Sequence, residues 1–279
     1  MPQVAAPSIG VLDSGIGGLS VLREIHHLLP QHPTLYVADQ FHLPYGPRPV
    51  AELRGYVQAI AEYLMGEGAV VIVLACNTAS AAALYDLREK FPGYPFVGME
   101  PALKPAVEHT RTGVVGVLST RTTAEGVPYQ RLLSRFAEGV RVITRPAPEL
   151  VHLAEEQRQD TPEGRAIIAE IVQPMLAEGV DTFVLACTHF PFLVQAIQEV
   201  VGPDVRLIDP SPAVARQTAR VLPPGTAPST TPHRYLTTGS PALMRTMLRT
   251  LINVEAQPIG LRWQGGILVS DHVSEINKN

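Results

Sequence analysis

The sequence predicts an α/β fold of two similar halves, each with a mainly parallel sheet flanked by helices. Short apolar segments alternate with segments of helical periodicity along most of the chain. A motif also repeats, because VLACNT at 73–78 returns as VLACTH at 184–189. Upstream of each copy lies a related strand, GVLDS at 10–14 and GVLST at 116–120. The chain has only two cysteines, and both occupy the same place in the repeat. We infer two related units that face each other.

The first half begins with strands that are short and rich in β-branched residues, as buried parallel strands are. The expected strands are 9–12, 34–38 and 70–75. The expected helices are 19–29, 50–65 and 79–90. The cluster Pro-Tyr-Gly-Pro at 44–47 predicts a loop, because proline and glycine interrupt both kinds of element.

The second half repeats this alternation. The expected strands are 113–118, 139–144, 181–186 and 205–208, with helices between them. The segment 223–232 is rich in proline and threonine and has no periodicity, which predicts a surface loop. Beyond it, Ser240 followed by Pro241 predicts the start of a helix, with serine as the cap and proline in the first turn.

Composition excludes several classes of protein. The chain has 279 residues, of which 46% are hydrophobic and 17% charged, enough for one large or two modest packed domains. The net charge is -4 and no basic stripe is present, so direct binding of nucleic acid is not expected. The longest apolar run, 69–76, is too short for a membrane span, and the opening segment 1–10 lacks the features of a signal peptide. We therefore expect no membrane association and a cytoplasmic location.

The two cysteines carry the functional prediction. Cys76 and Cys187 each follow a predicted strand, at the edge where open α/β sheets bind ligands. A disulfide is not expected in a reducing compartment, and the simplest alternative is that both are small buried apolar residues. A helix N-terminus after each cysteine would lower the thiol pKa from about 8.5 towards neutrality. Two thiols that face each other across a cleft could act as acid and base on opposite faces of one carbon, as inversion requires.

The glycine-rich turn DSGIGG at 13–18 has two interpretations. With Asp39 at the end of the next strand, it resembles a dinucleotide-binding fingerprint. Ser20 stands in place of the third glycine, however, and Asp13 would bring a carboxylate close to a pyrophosphate. We favour the second interpretation, in which the glycines allow the backbone to approach a small ligand, with Asp13 and Ser14 pointing into the cleft.

A zinc site and a pyridoxal phosphate site are two alternative interpretations. Cys76, Cys187 and His189 could form a Cys₂His zinc site, but no Cys-x-x-Cys pair or histidine cluster supports it. Pyridoxal phosphate needs a lysine, and none of the three lysines follows an apolar strand; they are Lys90, Lys104 and Lys278. We therefore expect neither a metal nor an organic cofactor.

Four ordered motifs resemble the glutamate racemase family. They are DSGIGG at 13–18, PYG at 44–46, ACNTAS at 75–80 and CTHFP at 187–191, and the resemblance runs from about residue 9 to 216. It implies two α/β domains related by a pseudo-twofold axis, with the active site between them. We expect 1–98 with 209–279 to form the first domain and 99–208 the second. The resemblance also implies cofactor-independent racemisation of glutamate for peptidoglycan synthesis. We further expect a homodimer.

The resemblance implies a role for each matching residue. Cys76 and Cys187 would be the acid/base pair, Asp13 would assist Cys76, and His189 would assist Cys187. Glu155 resembles a family glutamate near the histidine. The residues that would bind substrate are Asp13, Ser14, Pro44, Tyr45, Gly46, Asn77, Thr78, Thr120, Thr123, Thr188 and His189.

Two positions depart from the family pattern, and neither is expected to change the chemistry. Ala186 replaces a glycine and Ser80 a threonine, and both residues are small. Aspartate racemase is the alternative activity, but there the second cysteine is typically followed by Thr-Glu, whereas this chain has Thr188 and His189. The other alternative is a non-catalytic amino-acid-binding protein, which would not need two reactive thiols.

Overall fold

A computed structural model describes residues 7–270 of the chain. Residues 1–6 lie outside the described residues, and they include most of the opening segment that lacks the features of a signal peptide. Lys278 also lies outside the described residues. Within 7–270, no helix is both long enough and apolar enough to cross a bilayer.

Strands and helices alternate along the described chain, as predicted. The strands are β1 (Ser8–Asp13), β2 (Thr34–Ala38), β3 (Ala69–Leu74), β4 (Phe96–Gly98), β5 (Val114–Ser119), β6 (Arg141–Pro146), β7 (Thr182–Ala186), β8 (Arg206–Ile208), β9 (Arg234–Thr237), β10 (Ile259–Gln264) and β11 (Ile267–Ser270). The helices are α1 (Leu19–Leu28), α2 (Val50–Gly66), α3 (Asn77–Lys90), α4 (Leu103–His109), α5 (Arg121–Glu125), α6 (Val127–Phe136), α7 (Pro148–Glu155), α8 (Pro162–Ala177), α9 (Val194–Val201), α10 (Ser211–Val221) and α11 (Pro241–Ile252). Short 3-10 turns lie at Gln40–His42 and Phe190–Leu193.

The strands form two sheets with a common core order. The larger sheet has the order β11-β10-β9-β2-β1-β3-β4, and the smaller has the order β6-β5-β7-β8. All neighbours are parallel except β10 and β11. The series β2-β1-β3-β4 and β6-β5-β7-β8 are the same arrangement, so β1 corresponds to β5 and β3 to β7. The predicted α/β class, with two similar halves and mainly parallel sheets, is confirmed.

Each sheet is buried on both faces, which explains the unbroken apolar segments in the sequence. On β3, Val71 and Val73 pack in one hydrophobic cluster with α1 and α11, whereas Ile72 and Leu74 pack in another with α2 and α3. Two further clusters cover the two faces of the smaller sheet in the same way. Because the central strands β1, β2, β3, β5 and β7 have no solvent-facing side, their apolar segments are not interrupted by alternating polar residues.

The two cysteine-bearing turns differ in local structure. Cys76 is itself the cap of α3, since its Sγ accepts the Ala79 N–H at 3.5 Å, so the helix begins two residues earlier than predicted. Cys187 leads instead into the 3-10 turn, where the Phe190 N–H binds the Cys187 carbonyl at 3.1 Å. The prediction that an α-helix opens directly after each cysteine is therefore right for Cys76 and wrong for Cys187.

The C-terminal part of the chain returns to the larger sheet. Helix α10 packs against α1, and β9 pairs with β2. The segment 223–232 contains no helix or strand, and the Ser240 hydroxyl caps α11 by accepting the Leu243 N–H at 3.3 Å, both as predicted. The division into a first domain of 1–98 with 209–279 and a second domain of 99–208 stays a prediction.

Candidate active site

A cleft of about 560 Å³ lies at the carboxyl-terminal edges of the two sheets. Residues from both halves line it: Ser14, Leu43, Pro44, Tyr45, Gly46, Pro47, Cys76, Asn77, Thr78, Thr120, Arg121, Arg145, Pro146, Pro148, Glu149, Val151, His152, Cys187, Thr188 and His189. This set contains every predicted site residue except Asp13, Thr123 and Glu155, which lie behind the lining. Both cysteines therefore face one cavity, one from each half.

Cys76 is held in a buried, largely apolar environment. Its Sγ lies 3.8 Å from the Ser14 hydroxyl and accepts the Ala79 N–H at the start of α3. Burial, and then the charge of Asp13, raise the pKa of the Cys76 thiol far above its usual range, and the Ala79 N–H offsets them only in part. The prediction that a helix N-terminus brings this pKa towards neutrality is wrong for Cys76, because desolvation outweighs the helix end.

Asp13 ends β1 and is fully buried. The sequence predicts that Asp13 and Ser14 both point into the cleft, but only Ser14 lines it. The Asp13 Oδ2 accepts the Gly15 N–H at 2.8 Å, and its Oδ1 accepts the Thr188 hydroxyl at 3.4 Å. Burial raises the pKa of Asp13, although the nearby His189 acts to lower it. The carboxyl group thus joins the first half to the turn that carries Cys187.

Cys187, His189 and Glu155 form a continuous chain of polar contacts. The Cys187 Sγ lies 3.7 Å from His189 Nδ1, and His189 Nε2 lies 2.7 Å from Glu155 Oε1. Burial acts to lower the pKa of His189, but the hydrogen bonds and charges of Cys187 and Glu155 outweigh it and hold that pKa well above its usual value. The contact also places Glu155 at the histidine, where the family resemblance puts it.

Three of the threonine hydroxyls predicted to bind substrate lie close together. Thr78 Oγ1 and Thr120 Oγ1 are 2.9 Å apart, and Thr123 lies behind them with its Oγ1 3.0 Å from that of Thr120. Asn77 is buried, yet neither its Oδ1 nor its Nδ2 has a hydrogen-bond partner within residues 7–270. Buried polar atoms are rarely left unpaired, so Asn77 indicates a polar ligand in the cleft.

The glycine-rich turn serves the other half of the protein rather than a ligand. A Cβ on Gly17 would lie 2.5 Å from His189 Nδ1 and 2.6 Å from Thr188 Oγ1. A Cβ on Gly15 would lie 2.5 Å from Glu155 Oε1, which also accepts the Ile16 N–H. The expectation that these glycines admit a small ligand is therefore wrong, because side chains of the second half occupy the space that they leave.

The cleft also contains charged residues that the sequence analysis missed. Arg121, Arg145, Glu149 and His152 line it and are exposed. The guanidinium group of neither arginine has a hydrogen bond or ion pair with another described residue. Arg145 stands near the carboxyl end of β6, so the same strand-end rule that selected the cysteines could have found it.

The cofactor alternatives do not fit these residues. In the dinucleotide interpretation Asp39 should be open to a ribose, but it is fully buried and bonded to protein groups. The zinc alternative needs several ligands around one point, and within 7–270 no three His, Cys, Asp or Glu side chains are grouped in this way.

Comparisons with known proteins agree with this geometry. The family model described as Asp/Glu/Hydantoin racemase matches residues 9–218. The chain is 48% identical to a glutamate racemase of Ectopseudomonas mendocina over 260 residues, covering 92% of this chain and 98% of that protein. It is 49% identical to one from Roseiflexus over 222 residues, covering 80% and 82%.

Solved structures give the same result. A glutamate racemase isoform from Bacillus anthracis superimposes with a TM-score of 0.84 at 30% identity, covering 94% of this chain and 98% of that one. The Escherichia coli glutamate racemase, in complex with L-glutamate and an activator, has a TM-score of 0.79 at 35% identity, covering 88% and 94%. The fold and the cleft thus define an isomerase of the racemase class. The chain belongs to the Asp/Glu/hydantoin racemase family.

Proposed function

We propose that this protein interconverts L- and D-glutamate without a cofactor, in the cytoplasm, and supplies D-glutamate for peptidoglycan synthesis. The observation that carries the proposal is that Cys76 and Cys187, from equivalent positions in the two halves, line the same cleft. The activity and substrate of the named relatives support the choice of glutamate.

The mechanism uses one thiol for each face of the α-carbon. From L-glutamate, Cys187 removes the α-proton as thiolate, assisted by His189, and the C–H electron pair stays on carbon. Cys76 then delivers its S–H proton to the opposite face, assisted by Asp13. D-glutamate follows the reverse course. Burial favours the thiol form of Cys76, which suits its role as proton donor in the direction from L-glutamate, whereas the reverse direction requires its thiolate.

The remaining cleft residues hold the substrate and support the developing negative charge. The hydroxyls of Ser14 and Thr78 would donate to the carboxylates, which Thr120 and Thr188 would also contact, with Thr123 placed behind Thr120. The unpaired Asn77 amide would gain its partners from the substrate. Preorganised donors of this kind stabilise a carbanion because they need no reorganisation during the reaction.

The charge of the cleft favours a dicarboxylate. Two arginines, Arg121 and Arg145, line the cleft against one carboxylate, Glu149, in a protein whose net charge is -4. Aspartate is the alternative substrate, but the related aspartate racemase structure, from Picrophilus torridus, is only 17% identical with a TM-score of 0.54 and supports the fold alone.

Circular dichroism of L-glutamate incubated with the purified protein tests the proposal. We expect the signal to decay to zero without added cofactor, to decay more slowly or not at all with L-aspartate, and to be insensitive to a chelator. Loss of signal with aspartate alone would favour the alternative racemase. Glutamate binding by calorimetry without any decay would identify a non-catalytic binding protein. Stoichiometric zinc, with activity lost on chelation, would overturn the cofactor-independent mechanism.

We also propose the division into two domains and a homodimer. The strands of the larger sheet lie within 8–98 and 234–270, and those of the smaller sheet within 114–208, which supports domains of 1–98 with 209–279 and of 99–208. Sedimentation equilibrium of the full chain tests the dimer.

A further inference from the structure

A buried carboxylate outside the two-thiol mechanism fastens one wall of the cleft. Asp39 follows β2 directly and is fully buried. Its Oδ2 lies 2.8 Å from the Tyr45 hydroxyl and 2.8 Å from His42 Nδ1. Its Oδ1 accepts the Trp263 Nε1–H at 2.8 Å and the Thr238 hydroxyl at 2.9 Å. All four partners can donate, which is what a buried acceptor-only group requires.

These four donors come from two distant parts of the chain. Tyr45 belongs to the loop 44–46 that lines the cleft, and His42 lies two residues before this loop. Thr238 and Trp263 belong to the returning C-terminal segment, Trp263 in β10. The His42 ring also stacks on Tyr56, with centroids 3.7 Å apart and an interplanar angle of 10°. Asp39 therefore joins the cleft loop to the edge of the sheet that the C-terminal segment builds.

The bond from Tyr45 also settles which part of this loop faces the substrate. Tyr45 is buried, and its hydroxyl is committed to Asp39. Burial, followed by the charge of Asp39, raises the pKa of Tyr45 well above its usual value, so the hydroxyl remains a donor to that carboxylate. The loop consequently offers the cleft its backbone and its ring, and their position depends on the Asp39 contact.

We propose that Asp39 and Trp263 are positioning residues, which hold the loop 44–46 in its substrate-binding conformation through Tyr45. The inference rests on the proposed function, because it assumes that glutamate occupies the cleft. Trp263 is the only tryptophan of the chain, so the tryptophan emission reports on the surroundings of this one residue.

Steady-state kinetics of two variants test the proposal. Asp39→Asn replaces one carboxylate oxygen, which accepts hydrogen bonds, by an amide NH₂ group, which donates them and would face other donors. We expect KM for glutamate to rise about tenfold or more, with kcat changed much less. Trp263→Phe removes one donor and keeps an aromatic ring, and KM should rise severalfold. Gln264→Ala is the matched control, because Gln264 is the exposed neighbour of Trp263 on the same strand. A purely structural role would lower the melting temperature without moving KM.

Fluorescence supplies the second readout. In the wild-type chain, saturating glutamate should change the Trp263 emission, and Tyr45→Phe should abolish that change because it cuts the bond to Asp39. Racemisation by the wild-type chain is measured first and tests the proposed function separately. The positioning role is overturned if the wild type is active and both Asp39→Asn and Trp263→Phe keep its KM. It is equally overturned if Tyr45→Phe retains the emission change. Should Asp39→Asn not fold, the two milder variants decide the outcome.

Discussion

Nε2 of His189 and Oε1 of Glu155 lie 2.7 Å apart, and the other ring nitrogen of His189 lies 3.7 Å from the Cys187 sulfur. The carboxylate is thus one imidazole ring away from a thiol in the cleft. The first half takes part in this contact, because the Ile16 N–H also donates to Glu155 Oε1 at 3.3 Å. The carboxylate that pairs with His189 is therefore also held by the backbone of the first half.

Glu155→Gln should move the alkaline limb of the pH profile. Glu155 helps to raise the pKa of His189, so the imidazolium of the wild type persists to a higher pH than an ordinary histidine. Without the carboxylate charge, His189 should lose its proton at a pH lower by roughly one to three units. We expect the high-pH decline of kcat with L-glutamate to shift downwards by that amount. An unchanged midpoint, with the variant folded, would show that Glu155 does not control this proton.

Gly17→Ala should disable the cleft without any change to a reacting group. The new methyl group would meet His189 and Thr188 at less than van der Waals distance, so the Cys187 turn must shift. A displacement of about 1 Å can cost about 10²-fold in rate, and we expect a loss of that order in kcat/KM. Gly55→Ala is the control, because a Cβ there meets no atom within 4 Å. That variant should keep full activity and gain about 0.5–1 kcal/mol in unfolding free energy. Full activity in Gly17→Ala would contradict the packing described above.

His189→Asn and Asp13→Asn should have opposite directional effects. The two enantiomers of glutamate are equal in free energy, so kcat/KM must remain equal in the two directions for every variant. A bias can therefore appear only as unequal kcat values with compensating KM values. We expect His189→Asn to lower kcat more from L-glutamate, and Asp13→Asn to lower it more from D-glutamate. Equal losses of kcat in both directions for both variants would remove the assignment of one assistant to each thiol.

Single-cysteine variants test the two-thiol mechanism in deuterated water. Replacement of either cysteine by alanine should abolish racemisation, because one face of the α-carbon loses its proton donor or acceptor. Cys76→Ala should still exchange the α-proton of L-glutamate without inversion, and Cys187→Ala that of D-glutamate, each slowed by about 10²–10⁴-fold. Proton NMR follows the exchange and chiral chromatography the inversion. Substantial racemisation by either variant would refute the mechanism.

Stability should depend on pH through a histidine far from the cleft. His26 Nε2 forms a hydrogen bond with Thr34 Oγ1 at 2.9 Å, and the His26 ring centroid lies 4.0 Å from that of His233. Burial, and then His233, lower the pKa of His26 to about 3. In the unfolded chain His26 has a pKa of about 6.5, so below that pH the unfolded chain binds a proton that the folded chain does not. The free energy of unfolding should therefore decrease as the pH is lowered, by up to about 1.4 kcal/mol per pH unit, until about pH 3.

Urea unfolding at several pH values between 7 and 4 measures this slope. His26→Gln should flatten it, because the variant has no group at this position to titrate. His27→Gln is the control, since His27 is the exposed neighbour on the same helix, and its slope should match the wild type. An equal slope in all three proteins would exclude His26 as the source.

Local pattern was sufficient to predict the frame of the site. The predicted strand 34–38 has its observed bounds, and the six other predicted strands lie within two residues of theirs, because buried parallel strands leave an uninterrupted apolar signal. Strands β4, β9, β10 and β11 are not predicted from the sequence. The cysteines follow the equivalent strands β3 and β7, so the repeat by itself placed Cys76 and Cys187 at the edges that form the cleft. Motif spacing and chain order carry this information, and neither depends on distant contacts.

The tertiary structure decided what each group does in its surroundings. It showed that Gly15 and Gly17 make room for Glu155 and His189, and that burial raises the pKa of Cys76 despite the helix behind it. These properties depend on contacts between residues more than a hundred positions apart and on the water that folding removes. The sequence by itself determined where the chemical groups stand along the chain and at which sheet edge they emerge. Only the packing of the two halves decided which groups touch and which protons they hold, because both depend on distance and desolvation.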